Sequence, residues 1–522
     1  MPNILQNRRA AVLAVAAIFL TLFQLGGFTL FDVDEAVFSE ASREMLETGD
    51  WLTPTYNYEN RYDKPIFFYW VQASSLKLFG VNEFAARLPS ALAGLALIGL
   101  IYAYVRRISG ETAAFWSAAS LLLSLEFTTY SHAAVTDMTL SLFITASILS
   151  FHLSTLEPDK RRYVPGFYAG SALAFMTKGL IGIIFPWTIA ILYSAAKRRF
   201  ALRRLLDPAG IALFLTIGLP WYVLEFRANG MEFFNALFMK HHVSRFLQPN
   251  SGHSGSILYY VPVLVAGFFP WIALLPRAIW RALRDGGDTR VLASVWFVFV
   301  VVFFSFSNTK LPNYILSAFP AAAILAGPRL AALEKGESAK PEIYAIIALS
   351  LAFGAAFMAA PSMLAGKGAV IDGLPLVAAA FIAVALACAA WLFSGLRFQI
   401  TNAVSAVFGL LIVLVLWRVL PSANRELQGE LHDCTVAASA WLGPEGQLAT
   451  FGINTPSVAF YHGRKVIKPG SAEDWQKLKE RGRAVVITIP SRADEVIAHG
   501  FEVFGKGRRF AALRHSRALP SG

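Results

Sequence analysis

Residues 11–31 read AVLAVAAIFLTLFQLGGFTLF, and the nature of this stretch decides the fold. It is apolar for about twenty residues, the length a membrane-spanning helix needs at ~1.5 Å rise per residue across a ~30 Å hydrocarbon layer. The basic flank MPNILQNRRA precedes it and no small-x-small cleavage site closes it, so it reads as a retained first helix rather than a removed leader. Lipid demands that backbone groups be satisfied within the segment, which a helix does. Similar stretches recur near 84–105, 112–129, 135–155, 163–178, 180–196, 208–226, 257–276, 291–307, 313–331, 342–361, 374–394 and 400–420. The expected fold is an all-α membrane bundle of about thirteen helices, with the two short runs around Gly179 readable as one broken helix.

Composition agrees. Of 522 residues 56% are hydrophobic and 15% charged, against about 25% charged in soluble domains, and the mean hydropathy is +0.52. A soluble multidomain enzyme, a disordered chain and a disulfide scaffold are thereby excluded. Cys388, inside an apolar run, and Cys434 match neither a disulfide framework nor a metal knuckle.

Lys and Arg occupy every second connection: Arg8 and Arg9, Arg106 and Arg107, Lys160 to Arg162, Lys197 to Arg204, Arg277 to Arg290, Arg329 to Lys340, and Arg397. Those connections are expected to be cytoplasmic. An odd helix count then leaves the C-terminus outside, in the periplasm of a Gram-negative-type cell's inner membrane. Loops facing an anionic leaflet collect cations, so the net charge of +12 needs no nucleic acid, and no basic segment is interleaved with aromatics as a base-stacking platform requires. Beyond Trp417 the composition shifts. Residues 423–442 read as an amphipathic helix, LATFGI, VAFYHG, AVVITIP and FEVFG as strands, and 472–481 and 491–499 as helices. The expected division is a transmembrane unit over 1–420, with its first outer loop at 32–83, and an extracytoplasmic α/β unit over 421–522.

The polar residues that interrupt the spans fall on the outer side, which makes them candidates for a site. The first outer loop holds DVDEAVFSEASREMLETGDW (32–51) and NRYDKPIFFYWVQ (60–72). Asp34 and Glu35 suit acid/base work, although Asp32 with Glu35 three residues on also fits a helix-capping box. Asp32-Val33-Asp34 could suggest a metal bound to a nucleotide sugar, but such donors are cytoplasmic, and an outer loop favours a lipid-linked one. Lys64, ahead of an aromatic helix, reads either as a snorkelling interfacial lysine or as a headgroup-level partner for a lipid phosphate. Asp137 opens one apolar helix, with Ser131 and His132 before it, and Lys178 ends another. Lys310, Asn313 and Tyr314 lie in a later outer loop. Between them come Lys240 to Arg245 and His253; the guanidinium fork of Arg245 matches phosphate, and adjacent His241 and His242 do not face the same way on a helix.

In order along the chain, Asp34-Glu35 with SREML and TGDW, Asp63-Lys64-Pro65, Asp137 in VTDMTL, MTKG around Lys178, HHVSRF, NSGHSG leading to GFFPW, and TKLPNYILSAFPA resemble the GT-C superfamily of polyprenyl-phosphate-sugar glycosyltransferases. The resemblance spans about the first 330 residues and points to the branch of the lipid A aminoarabinose transferases and protein O-mannosyltransferase-like bacterial enzymes. It implies an inverting transferase that moves a sugar from an undecaprenyl-type phosphate carrier to a glycolipid or glycan acceptor outside the cytoplasm. It further implies Asp34 as the acid/base residue, with Glu35 and Asp137 beside it, and Lys64, Lys178, Arg245 and Tyr314 around the carrier phosphate. A divalent metal held by Asp63 and His242, or His241, is implied by some relatives; no other cofactor is. The chain departs from the aminoarabinose transferases where it has Val37-Phe38 in place of an Arg-Tyr pair, which leaves the sugar open. Three other readings compete. A polytopic transporter would place its site at the bilayer midplane, often between internal repeats, and a scaffold would not need its acids. An O-antigen ligase or polymerase would use a diphosphate carrier and arginines of a later loop.

Overall fold

The computed structural model describes residues 2–156, 161–198, 202–237, 255–393, 399–480 and 482–515. Among them, seven helices are long and apolar enough to cross a membrane, and nine if two bent pairs count as single spans. This is fewer than the thirteen apolar runs. The run 112–129 is two helices, α5 (Glu111–Leu122) and α6 (Leu125–Ser131), because Ser124 leaves the helical region and accepts a hydrogen bond from the Phe127 amide. The two short runs around Gly179 are two helices, α8 (Val164–Lys178) and α9 (Ile181–Ala196), separated where Gly179 takes φ +73°. At 16 residues, α9 extends about 24 Å. A Cβ on Gly182 would lie 2.2 Å from the α8 backbone, so glycine is what lets α9 pack there. The runs near 208–226 and 257–276 bend by 42° and 108°.

The remaining elements that position the site are α1 (Pro2–Leu22), α2 (Asp34–Thr48), α3 (Phe67–Phe79), α4 (Glu83–Ser109) and α7 (Asp137–Leu156). Asn82 caps α4, its side chain accepting from the Ala85 amide, and Arg106 and Arg107 complement the dipole in the last turn. Within the first outer loop, α2 ends on the left-handed Gly49, and most of α2 is buried, charges included. A two-strand ribbon follows, β1 (Thr55–Tyr56) and β2 (Glu59–Asn60). Its turn residues Asn57 and Tyr58 both have positive φ, as this kind of tight hairpin requires. Glu44 accepts from the Tyr58 amide (3.0 Å) and Glu47 from its hydroxyl (2.8 Å), which fixes the hairpin on α2.

At the far end of the chain, one helical rod of 43 residues runs unbroken over Ile400–Leu442, through the junction expected at 420/421. Beyond it lies a five-stranded sheet in the order β4-β3-β5-β7-β6, from β3 (Gln447–Phe451), β4 (Val466–Ile467), β5 (Ala484–Thr488), β6 (Glu502–Lys506) and β7 (Ala511–His515). β3 is parallel to β4 and β5; β7 is antiparallel to β5 and β6. The period-two alternation buries both faces. Leu448, Val485, Ile487 and Ala512 pack with Leu431 and Leu442 of the rod, while Ala449, Val486 and Leu513 pack with Trp475 and Val496. VAFYHG, expected as a strand, is instead the helix Ser457–His462. Pro456 before it and left-handed Gly463 after it punctuate the segment as a helix, outweighing its β-prone residues.

The sheet lobe is seated on the first outer loop. Phe460 joins the buried cluster of Leu30, Ala36, Leu76 and Ala134. Asn57 pairs its side-chain amide with β4, donating to the Val466 carbonyl (2.8 Å) and accepting from the Val466 amide (2.7 Å).

Candidate active site

Asp34 is the first residue of α2 and is exposed, with Val33 before it at 42% exposure. The expected capping box does not form. Asp32 makes no cap on α2; its carboxylate accepts from the Ser457 amide (2.8 Å) and hydroxyl (2.6 Å). Glu35 reaches back to the Phe31 amide (2.9 Å) and also accepts from the Ala134 amide (2.7 Å). The fully buried Arg87 of α4 forks onto Glu35 at 2.9 and 3.0 Å and donates to the carbonyls of Leu25, Phe28 and Thr29. Glu35, expected beside Asp34 as an acid/base group, is therefore committed to four donors inside the protein. What it does is fix the first turn of α2, from which Asp34 projects.

Arg61 gathers the loop's second segment. It bonds Asp63 at 2.8 Å and the Tyr69 hydroxyl at 3.3 Å, lies 5.9 Å from the Phe38 ring centre, and feels the field of Asp34. Lys64 is half-buried and donates to the Asp63 carbonyl at 3.0 Å. Arg61 is a cation that sequence reasoning passed over; its signal was its place two residues before Asp63 and the aromatic helix.

A second group forms where helix ends meet. Asp137 begins α7 and Lys178 ends α8, and their side chains, 6% and 11% exposed, pair at 2.6 Å. The ammonium of Lys178 also lies 5.4 Å from the ring centre of Tyr314, and these three line one narrow cleft with Asn313 and Phe304. Tyr314 is held there by the turn Pro312–Ala318. The start of that turn is anchored by Lys310, whose ammonium is buried on the carbonyls of Ser305 (2.8 Å) and Ser307 (2.7 Å). Such use of a lysine satisfies the end of the preceding helix. His132 is likewise structural, its ring nitrogens facing the carbonyls of Phe23 (3.1 Å) and Thr128 (2.9 Å). Tyr130 is within electrostatic reach of both Asp34 and Asp137. So the structure joins Asp137, Lys178 and Tyr314 across sequence separations of 41 and 136, while Asp34, Arg61 and Lys64 are on the first outer loop. Arg245, His241, His242, Lys240 and His253 lie outside the described residues.

Of the expected metal ligands only Asp63 is among the described residues. Asp63 is paired with Arg61, and among the described residues no three His, Cys, Asp or Glu side chains converge as a metal site does.

Chemically, the arrangement offers an exposed carboxylate on the first loop and, in a cleft at the helix ends, a cation with a phenol. That combination suits a nucleophile that must lose a proton while a departing anion gains charge.

Comparison with known proteins agrees. Residues 63–223 match the family described as dolichyl-phosphate-mannose-protein mannosyltransferase. Proteins named undecaprenyl phosphate-alpha-4-amino-4-deoxy-L-arabinose arabinosyl transferase are similar: that of Edwardsiella ictaluri (strain 93-146) is 32% identical over 324 residues, 60% of this chain and 58% of its own length. That of Serratia proteamaculans (strain 568) is 33% identical over 62% of this chain and 59% of its own. The matched region thus spans less than two thirds of those relatives. The crystal structure of ArnT from Cupriavidus metallidurans bound to undecaprenyl phosphate is similar over 97% of both chains, with a TM-score of 0.83 and 26% identity. The archaeal oligosaccharyltransferase AglB from Archaeoglobus fulgidus shares the fold at a TM-score of 0.54 and 12% identity. In motif order, helical architecture and these likenesses together, the chain is similar to the polyprenyl-phosphate-sugar transferases of the GT-C type, and among them to the undecaprenyl phosphate aminoarabinose transferases.

Proposed function

We propose that this protein is an inverting glycosyltransferase of the inner membrane that takes a sugar from an undecaprenyl-type phosphate carrier and places it on an acceptor in the periplasm, lipid A or core lipopolysaccharide. The observation that carries the reading is the exposed Asp34 beside cations that gather on one side of the helix ends: Arg61 and Lys64 in the loop, and Lys178, paired to Asp137, facing Tyr314. The names of the similar proteins and the carrier in the similar crystal structure support the same substrate class.

In this scheme the acceptor hydroxyl gives its proton to the Asp34 carboxylate as its oxygen bonds the anomeric carbon. The bond from that carbon to the phosphate oxygen breaks, and the carrier leaves as polyprenyl phosphate. Lys178, Tyr314, Lys64 and Arg245 stabilise the charge that grows on the leaving phosphate. Asp137 holds Lys178 in place until the phosphate arrives. Because the bond to phosphate is activated already, no nucleotide is needed. The scheme orients the chain with its basic loops in the cytoplasm, about thirteen segments within the membrane, and the first outer loop and the sheet lobe in the periplasm. The polar groups sit at helix ends, Asp137 first in α7 and Lys178 last in α8, which fits a transferase at a membrane face better than a midplane transport site.

The test is mass spectrometry of lipid A, core oligosaccharide and total glycans from wild-type cells, a deletion strain and cells with Asp34→Ala present at normal membrane level. Loss of one sugar mass in both mutants is expected and names sugar and acceptor together. Glycans unchanged in the deletion strain would overturn the reading.

A further inference from the structure

The chain segment that delivers Asp34 is held by the rod Ile400–Leu442 and by the sheet lobe. Thr29 exchanges hydrogen bonds with Asn424, its hydroxyl donating to Oδ1 (2.7 Å) and its carbonyl accepting from Nδ2 (2.9 Å). The Leu30 amide donates to the Tyr461 hydroxyl (2.8 Å), which itself donates to Glu83 at 2.9 Å. Asp32 receives both the amide and the hydroxyl of Ser457. With its amide turned so that both atoms are satisfied, Gln428 adds a donor to Asp32 Oδ2 and an acceptor for the Asp32 amide, each at 3.2 Å. On the other side of Asp34, Glu35 is locked by Arg87, Phe31 and Ala134. Asp34 thus stands, with exposed Val33, between anchored Asp32 and anchored Glu35, the latter held by the membrane bundle and the former by Ser457, 425 positions away, and Gln428.

We infer that Ser457 is a positioning residue for the transfer reaction: by gripping Asp32 with two hydrogen bonds it sets the direction in which Asp34 leaves the loop, which makes the sheet lobe part of the active-site framework. Two donors on one carboxylate fix both the position and the plane of the Asp32 side chain, which a single contact does not. Burial pushes the Asp32 carboxyl up to about 6, so the charged form is costly there and the Ser457 donors offset part of that cost. The direction of a base matters because proton transfer needs reacting atoms within hydrogen-bond reach, and a displacement of ~1 Å is worth on the order of a hundredfold in rate.

This inference rests on Asp34 being the base, and the experiment separates the two. Purified full-length protein is assayed with an undecaprenyl phosphate-linked sugar and lipid A for kcat and KM of the donor, with thermal stability measured alongside. Ser457→Ala is expected to lower kcat by about tenfold or more at unchanged donor KM, and Ser457→Thr to restore it. Asp32→Ala removes the same contact from the other side, and the double variant is expected to be no slower than the single ones. Asn57→Ala cuts the lobe's contact at β4, away from Asp34, and is expected to keep wild-type kcat. If Asp34→Asn is inactive while Ser457→Ala and Asp32→Ala keep wild-type kcat, the positioning role is overturned and the base reading stands. If Asn57→Ala slows turnover as much as Ser457→Ala, general docking of the lobe explains the loss and the specific role falls. If Asp34→Asn retains full activity, the base reading falls first.

Discussion

Replacing Arg87 by methionine tests how the loop is built. Arg87 is 0% exposed, forks onto Glu35 at 2.9 and 3.0 Å, and supplies three carbonyls with donors. Methionine fills a similar volume, so the substitution removes charge and donors with little cavity. It leaves Glu35, at 5% exposure, with only the amides of Phe31 and Ala134, and takes the Arg87 donors from the carbonyls of Leu25 and Phe28, while that of Thr29 keeps Asn424. Removing one partner of a buried pair costs about 3–5 kcal/mol, and the orphaned carbonyls keep the expectation at the upper end. Glu35→Gln is expected to be milder, about 1–3 kcal/mol, because the amide oxygen still accepts and Arg87 keeps its carbonyls. The double variant Arg87→Met/Glu35→Gln is expected to cost less than Arg87→Met alone, since no buried charge then lacks a partner. The assay is denaturant unfolding in detergent, with the four proteins forming a cycle. An Arg87→Met protein within about 0.5 kcal/mol of wild type, or a double variant that costs the sum of the singles, would refute the account.

Three further predictions follow from the site and the loop. Lys178→Met removes a charge-assisted contact worth about 1.5–3 kcal/mol and is expected to raise the donor KM roughly ten- to a hundredfold, while Tyr314→Phe raises it only several-fold; steady-state kinetics with varied donor decide this, and an unchanged KM in Lys178→Met counts against a phosphate role. Asp32 has a pKa lifted by burial from 3.8 to about 6, so the folded state binds its proton more readily than the unfolded chain does. Stability is then expected to rise as pH falls from about 6 toward 4, by up to ~3 kcal/mol, and Asp32→Asn to flatten that part of the profile in thermal unfolding; a profile identical to wild type would show that Asp32 is not the group. Because Arg61 occupies Asp63, prolonged chelation followed by assay is expected to leave turnover within about twofold; loss of activity restored by one divalent ion would place the metal at Asp63 and His242 after all.

The spans and the outer loop were legible because their signals are long: twenty apolar residues, or a cluster of acids after the first of them. The partnership of Asp137 with Lys178 was not, since each alone looks like an interfacial residue and only the packing of α7 on α8 brings them to 2.6 Å. Arg87 was readable in principle as a lone cation inside an apolar run, a residue type that needs a partner in such a place, but nothing local names Glu35 as that partner. Asp32 shows the opposite failure. Its spacing from Glu35 satisfied a local capping rule, and the lobe's Ser457 won the carboxylate instead. In VAFYHG the residue preferences favoured a strand while the flanking Pro456 and Gly463 favoured a helix, and the flanks prevailed.

The two hydrogen bonds from Asn57 to Val466 have a consequence for the lobe's sociability. β4 is an edge strand, and edges with open amides and carbonyls invite pairing with other chains. Here a side-chain amide from the first loop takes the place that a sixth strand's backbone would occupy. During synthesis the loop is made some 400 residues before the edge it will cover, so the cap is waiting when the sheet forms. A lobe expressed alone would lack it, and would be expected to self-associate through β4 in a way the whole chain does not.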